Sequence, residues 1–392
     1  MKFTPTEEQQ DGLIRTQKWF KSQYKQVWEI SGIAGSGKTT LVYHLIQELK
    51  LNMEDVAFVA YIGKAALALC RKGTPAKTIH SFIYNITEEP KVDEDGNPIL
   101  DDDLGKIQYK MKFVKKEQLP PNIKLIVVDE GAMVSKQIAD DLMSYDIPII
   151  VLGDRNQLPP VFGESVFLLD PDVNLTKPMR QALDSPIIYL AQQAMHGRYI
   201  QYGKYGNNCY VIPKSMITNK MLTESDVVIC GRNKTRDELN RKVREDILGI
   251  HSECPVIGDK MICRQNNWTE YIGDNIFLIN GLIGYVESIN RESYNKSSIE
   301  IDFRPEFMET ECFNNIKIDY KYLISSYEEK QKYARCFFNK FEYAYAITCH
   351  LSQGSQYDNV FVYDERIGTQ EYYKQWLYTA ITRASNSLIL AI

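Results

Sequence analysis

The sequence predicts an α/β fold of parallel, doubly wound sheets, and three observations carry that prediction. Short apolar runs that read as buried strands alternate with helical stretches, the pattern of successive βαβ units. Several of these runs end in glycine, polar or acidic residues, at the sheet edge where such folds bind ligands. One of them, Val27-Trp28-Glu29-Ile30-Ser31, leads straight into Gly32-Ile33-Ala34-Gly35-Ser36-Gly37-Lys38-Thr39, which satisfies G-x-x-x-x-G-K-[ST].

That stretch is read as a phosphate-binding loop. Its glycines let backbone amides approach phosphates without an intervening Cβ, and the helix predicted from Thr40 adds partial positive charge. Leu41, Leu45, Ile46 and Leu49 give that helix its apolar face. Lys38 is expected to reach the β- and γ-phosphates of a nucleotide, and the Thr39 hydroxyl to hold Mg²⁺.

Composition bounds the rest. With 392 residues the chain is long for one core, so two or three domains are expected. A content of 44% hydrophobic and 25% charged residues is that of an ordinary soluble globular protein. No apolar run approaches a membrane span and Met1 to Pro5 carries no signal-peptide core, so a cytoplasmic protein without a membrane partner is expected. The 8 cysteines include no C-x-x-C pair or metal spacing and read as reduced thiols. The net charge of −5 argues mildly against nucleic acid, although a local basic groove can sit on an acidic protein.

In chain order, Thr6 caps a first helix, with Gln9 completing a capping box. The Gln9 amide offers both a donor and an acceptor and could equally read an adenine edge. Val56 to Tyr61 reads as a second strand, followed by Gly63-Lys64-Ala65-Ala66 opening a helix and by the polar Thr78-Ile79-His80-Ser81. Residues 88–118 break the rhythm and read as an inserted hairpin, with a surface loop as the alternative. Lys124 to Val128 is a buried strand ending in Asp129 and Glu130. One carboxylate suits the Mg²⁺ shell and the other the attacking water, and Asp129 and Glu130 are assigned in that order. Pro148 to Leu152 leads into Gly153-Asp154-Arg155-Asn156-Gln157-Leu158-Pro159-Pro160, where Asp154 and Gln157 could sense the γ-phosphate or its water. Further on, the basic set from Arg232 to Arg244 reads as a solvated helix face or as part of a groove for a phosphate backbone. Residues 256–340 are short strand-like pieces with Gly and Asn turns, a small all-β insertion. Tyr320, Tyr322, Tyr327, Phe337 and Phe338 in it are core or ligand-facing, and core is the better reading of each.

These residues form an ordered set that resembles the superfamily 1 helicases, in their RecD-like and Dda-like branch. Gly32–Thr39 is similar to motif I, Asp129-Glu130 to motif II and Gly153–Pro160 to motif III. Gln9 stands where the family's adenine-reading glutamine lies. Gly63–Ala66 resembles the end of motif Ia and Thr78–Ser81 motif Ib, Leu175–Gln181 motif IV, Tyr345–Ser355 motif V, and Leu377–Ala384 motif VI. Two departures stand out. Tyr61-Ile62 replaces the family's Pro-Thr pair, leaving Tyr61 free to stack on a base, and Gly131-Ala132-Met133 lacks the usual serine.

The resemblance implies two RecA-like P-loop NTPase domains, with a β-hairpin in the first and a small SH3-like β insertion in the second. The expected boundaries are 1–171 for the first domain, 172–285 with 341–392 for the second, and 286–340 for the insertion. It implies a nucleotide site of Gln9, Gly32, Ala34, Gly35, Ser36, Gly37, Lys38, Thr39, Thr40 and Gly354. Lys38, Asp129, Glu130, Gln157, Arg180 and Arg383 are the implied catalytic residues, with Thr39 and Asp129 on the metal. It places Tyr61, Gly63, Lys64, Thr78, His80, Ser81, His350, Ser352 and Gln353 against DNA. Arg180 and Arg383 would reach the nucleotide from the second domain, where an arginine stabilises charge developing in phosphoryl transfer.

The function so implied is an ATP- and Mg²⁺-dependent DNA helicase, acting on single strands and at single-strand/duplex junctions. It would travel 5′-to-3′ and split the duplex with the hairpin as a wedge, as a monomer alone or beside replication or repair proteins. A translocase that does not unwind, an RNA helicase and a nucleotide-gated DNA clamp are the competing readings.

Overall fold

Alternation of buried side chains builds two sheets, each with a core on both faces. The computed structural model describes all residues except 1–4, 62, 72, 91, 93–95, 99–106, 108, 160–164, 180–183, 274–275, 291–296 and 333–337. In the first domain the strands are β1 (Val27–Gly32), β2 (Val56–Ala60), β3 (Ala76–Thr78), β4 (Tyr84–Pro90), β5 (Tyr109–Lys115), β6 (Leu125–Asp129), β7 (Ile149–Gly153) and β8 (Val173–Leu175). Six of them form one parallel sheet in the order β3-β2-β6-β7-β1-β8. Val127, Ile150 and Leu152 point to one face, where they meet Leu13 and Trp19 of α1 (Glu7–Ser22) and Leu41 and Leu45 of α2 (Lys38–Glu48). Their neighbours Ile126, Val128 and Val151 point to the other face. There they meet Ile79 and Ile83, and Ile138 and Leu142. The first two belong to α4 (Ile79–Ile83) and the last two to α5 (Lys136–Met143), while α3 (Gly63–Arg71) follows β2. A strand covered on both faces must be apolar at every position, which is why β6 and β7 read as unbroken apolar runs.

The second domain repeats the design. Its strands are β9 (Gly203–Tyr205), β10 (Cys209–Ile212) and β11 (Val227–Cys230), then, after an insertion, β19 (Ala346–Thr348), β20 (Tyr357–Tyr363) and β21 (Ala384–Ala391). They lie in the order β19-β11-β20-β21-β10-β9, parallel except for β9. The helices are α6 (Pro186–Met195), α7 (Asn219–Thr223) and α8 (Asn233–Arg241), with α11 (Cys349–Ser352) and α12 (Gln370–Ile381). Ile187 and Leu190 of α6 and Trp376 and Ile381 of α12 pack in one core, which also takes in Leu158 from the first domain.

The insertion is an antiparallel sheet in the order β17-β16-β15-β12-β18, made of β12 (Lys260–Cys263), β15 (Ile283–Asn290), β16 (Ser298–Pro305), β17 (Phe313–Asp319) and β18 (Phe341–Tyr343). A two-stranded ribbon of β13 (Asn267–Ile272) and β14 (Ile276–Leu278) leaves it, and α9 (Tyr320–Ile324) and α10 (Tyr327–Lys332) follow β17. Tyr320 and Tyr322 are buried.

Three expected boundaries shift. Residues 172–175 were assigned to the second domain, but β8 pairs with β1 in the first sheet. The insertion was expected over 286–340, yet its sheet starts at β12 and ends at β18, because β12 bonds to β15 on one side and β18 on the other. The hairpin expected at 88–118 consists of β4 paired with β5 and so begins at Tyr84. Part of its far end, 93–95 and 99–106, lies outside the described residues.

Candidate nucleotide site between the domains

The phosphate-loop side is built from backbone. β1 ends at Gly32 and α2 begins at Lys38, and between them Gly35 and Gly37 hold φ of 75° and 78°, a region that favours glycine. A Cβ on Gly37 would lie 2.6 Å from Met179 Sδ and 2.8 Å from Gln9 Nε2, and one on Gly32 would lie 2.5 Å from Ser36 Oγ. The Lys38 ammonium donates to the carbonyls of Gly32 and Ile33. The Gln9 amide is engaged on both ends. Its Nε2 donates to the Ser36 carbonyl at 2.8 Å, and its Oε1 accepts from the Thr6 amide at 2.9 Å. Gln9 thus completes the capping box and also braces the loop. Ser36 Oγ is buried without a hydrogen-bond partner among the described residues, and Thr40 faces solvent.

The acidic side stands beside it. Ala60 of β2 pairs with Asp129 at the end of β6, and Glu130 follows in a left-handed conformation (φ 52°) that an L residue rarely adopts. A Cβ on Gly131 would lie 2.1 Å from Val151 Cγ1, so glycine is what lets the chain turn here against β7. Burial first, and then the neighbouring Asp129, push the Glu130 carboxyl above its ordinary range, while Arg383 and Lys38 pull it back. Thr39, Asp129, Glu130 and Gln157 all line one cavity of about 550 Å³.

The second domain supplies the far wall of that cavity with Gly354 and Arg383. Arg383 is buried and held by its own neighbourhood, its guanidinium donating to the carbonyls of Thr379 and Ser355, both at 3.1 Å. Side chains that the sequence reading passed over join the walls. The Tyr378 hydroxyl donates to Asp154 and accepts from the Ala34 amide at 2.8 Å. The Leu158 amide donates to Thr379 Oγ1 and its carbonyl accepts from Gln353 Nε2, both at 2.9 Å. Only the position of Tyr378 inside the motif VI stretch could have drawn attention to it. Arg180, expected on this wall, lies outside the described residues, just after Met179, whose amide donates to the Gly35 carbonyl at 2.9 Å.

The residues expected on DNA separate into two groups. Tyr61, His80 and the hairpin's Phe113 form an aromatic run, with ring centroids 6.0 Å apart for Tyr61 and His80 and 5.7 Å for His80 and Phe113. Phe113 is exposed, and burial pulls the His80 pKa below its usual value. His350 is half-buried against Tyr372, with Nε2 3.4 Å from the phenol oxygen. The others are turned inward. Thr78 Oγ1 caps α4 by accepting from the Ser81 amide, and Ser81 Oγ donates back to the Thr78 carbonyl at 3.0 Å. Ser352 is buried with its hydroxyl on the Cys349 carbonyl, and Gln353 is buried in the domain contact just described. Gly63 packs on the insertion, since a Cβ there would lie 2.4 Å from Ile279 Cδ1. Lys64 lines the nucleotide-side cavity.

A triphosphate fits this cleft. The glycine cradle leaves room where a Cβ would intrude, and Ser36 Oγ is an unmet polar atom inside it. Among the described residues no group of three or more His, Cys, Asp or Glu could hold a metal alone. The donor set of one hydroxyl (Thr39) and one carboxylate (Asp129) suits Mg²⁺ that completes its shell with phosphate oxygens and water.

Comparison with known proteins agrees with this architecture. Residues 17–163 match the model of an AAA domain, and residues 343–391 match that of a UvrD-like helicase C-terminal domain. The chain is 24% identical to the ATP-dependent DNA helicase Pif1 of Campylobacter jejuni, covering 93% of this chain and 88% of that protein. It is also 24% identical to an uncharacterised protein of Methanocaldococcus jannaschii, over 93% of this chain but 36% of that protein, so the chain spans about a third of that relative's length. Among solved structures, Bacteroides Pif1 bound to single-stranded DNA is similar, with a TM-score of 0.53 at 16% identity, covering 100% of this chain and 93% of that one. A structure of two coordinating Pif1 helicases at forked duplex DNA gives a TM-score of 0.55 at 18% identity, covering 100% and 92%. The chain thus carries an AAA domain followed by a UvrD-like helicase C-terminal domain, and it has the fold of the Pif1 helicases, with a cleft between its two parallel-sheet domains.

Proposed function

We propose that the protein is an ATP-dependent DNA helicase that moves 5′-to-3′ along single-stranded DNA and parts the duplex on its β4–β5 hairpin. One observation carries the reading: the phosphate loop of the first domain and Arg383 of the second line the same cavity. A ligand bridging those walls changes the spacing of the domains, and its hydrolysis releases them. The Lys38 ammonium and the loop amides bind the phosphates, and Arg383 stabilises charge on the transferring group. Glu130 orients the attacking water, and its raised affinity for a proton suits it to accept one. Bound Mg²⁺ would be held by Thr39 and Asp129 and would neutralise developing phosphate charge. The aromatic run from Tyr61 to Phe113 offers stacking surfaces for bases leading to the hairpin.

Forked duplexes bearing only a 5′ or only a 3′ single-stranded tail test the direction. Unwinding from the 5′ tail alone is expected, and unwinding from the 3′ tail alone overturns the polarity. Deleting residues 93–98 tests the wedge. Loss of unwinding with DNA-stimulated ATPase retained supports it, whereas undiminished unwinding removes that role.

A further inference from the structure

Lys64 is a cation in the cleft whose purpose the phosphate loop, the acidic pair and Arg383 leave unexplained. It sits in the first turn of α3, just past β2, whose last residue Ala60 pairs with Asp129. Its side chain lines the cavity together with Gly35, Thr39, Glu130 and Arg383. The ammonium donates to Tyr357 Oη at 2.8 Å and lies 5.0 Å from that ring's centroid. Both contacts are with a neutral side chain. The carboxylate that acts on it, Glu306 of the insertion, is already ion-paired with Lys260 at 3.4 Å.

A half-buried ammonium held by a phenol is under-compensated, because drawing a charge away from water costs more than a neutral acceptor returns. Burial accordingly draws the Lys64 pKa down to about 8, with Arg383 pushing the same way and Glu306 opposing. An anion entering the cavity relieves this strain. On the nucleotide-cleft reading, the anion that would reach both walls is the distal phosphate of a nucleoside triphosphate.

We propose that Lys64 binds the terminal phosphate of the nucleotide, with Tyr357 as the residue that holds it ready, so that the cleft tells ATP from ADP. The proposal rests on the nucleotide-cleft reading above. Tyr357 opens β20 and its amide donates to the Arg383 carbonyl at 2.8 Å, so the lysine is poised from the same short segment that carries Arg383. Lys64 thereby adds a second cation beside that of Lys38, drawn from a helix that the resemblance had directed toward DNA.

The test is equilibrium binding of ADP and of a non-hydrolysable ATP analogue, both with Mg²⁺, to the full chain and its variants. Lys64→Met is expected to weaken the analogue about tenfold or more, the loss of one charge-assisted hydrogen bond, and to leave ADP within about twofold. Lys64→Arg is expected to recover part of the preference for the analogue, and Tyr357→Phe, which removes the hydroxyl that positions the ammonium, to weaken the analogue by less than Lys64→Met does while leaving ADP within about twofold. Equal weakening of both nucleotides by Lys64→Met, or no change in either, overturns the phosphate contact. A Tyr357→Phe protein that weakens ADP and the analogue equally also overturns it, because the lysine–phenol pair would then act only as a joint between domains. Lys38→Ala reports separately on the cleft: undiminished ADP binding there sinks the nucleotide site itself, whatever Lys64 does.

Discussion

The two walls of the cleft are built by different means. The near wall is a run of neighbouring positions, Gly32 to Thr39, with the end of β6 two strands away in the sheet, and its loop is built from backbone amides and glycines that admit no Cβ. The far wall is a set of side chains on α12 and the segments beside it: Arg383 is held by hydrogen bonds within its own domain, while Tyr378 and Thr379 bond across to the first domain. On the proposed function the near wall binds, and the far wall senses what is bound and acts on it. Variants of the two walls should fail in different ways.

The largest separation is expected between Arg383→Ala and Lys38→Ala. Arg383→Ala should lower the ATPase kcat by about 10³-fold or more, the scale of an arginine that stabilises transferring phosphate, and keep ADP binding within a few-fold. Lys38→Ala should lose nucleotide binding itself, so a matching loss in both variants erases the distinction. Next, Glu130→Gln should cut hydrolysis by about 10²- to 10⁴-fold with ATP and DNA binding retained, as for removal of a positioned base. Tyr378→Phe comes third. It leaves Asp154 and the Ala34 amide without their shared hydroxyl, which costs about 1–3 kcal/mol of stability in chemical denaturation, and it should loosen the contact between walls. Gly131→Ala concerns the near wall alone. The added methyl meets Val151 and should cost about 1–3 kcal/mol, with kcat falling because Glu130 is displaced.

The smallest effect is one of pH. The Lys64 pKa is drawn down to about 8 from 10.5, so the unfolded chain holds that proton more tightly than the folded one. Stability from this group therefore rises as pH climbs from about 8 toward 10.5, and below 8 the burial penalty is present in full. Lys64→Met should raise the melting temperature at pH 7, and the gain should shrink as pH passes 8. A gain that stays constant to pH 10 would mean that the lysine's charge is not what burial opposes.

What could be read from the sequence follows the same division. The near wall was legible because its residues are consecutive and β6 and β7 are unbroken apolar runs. The far wall was legible where a residue falls in a stretch that resembles a family motif, as Arg383 does within Leu377–Ala384. It was illegible where the meaning lies in a distant partner: Tyr378 meets residues 224 and 344 positions away in the chain. Thr78, Ser81, Ser352 and Gln353 show the complementary difficulty. A polar side chain in a motif does not reveal which way it points, and these four spend their hydrogen bonds on a helix cap, a carbonyl and a domain contact. Boundaries failed where strands are very short, as at β8, or where a sheet closes on itself through first and last strands, as β12 and β18 do.

That last closure has a mechanical consequence. The chain enters the insertion through β12 and leaves it through β18, and these two strands are bonded neighbours at one side of the module. The module hangs from the second domain by two adjacent crossings, like a pendant from a double clasp. After β18 the chain runs at once into β19, α11 and Gly354 on the cleft wall. Beside the packing of Gly63 on Ile279, that clasp gives a load on the pendant a covalent path to the wall of the nucleotide site through a short piece of chain.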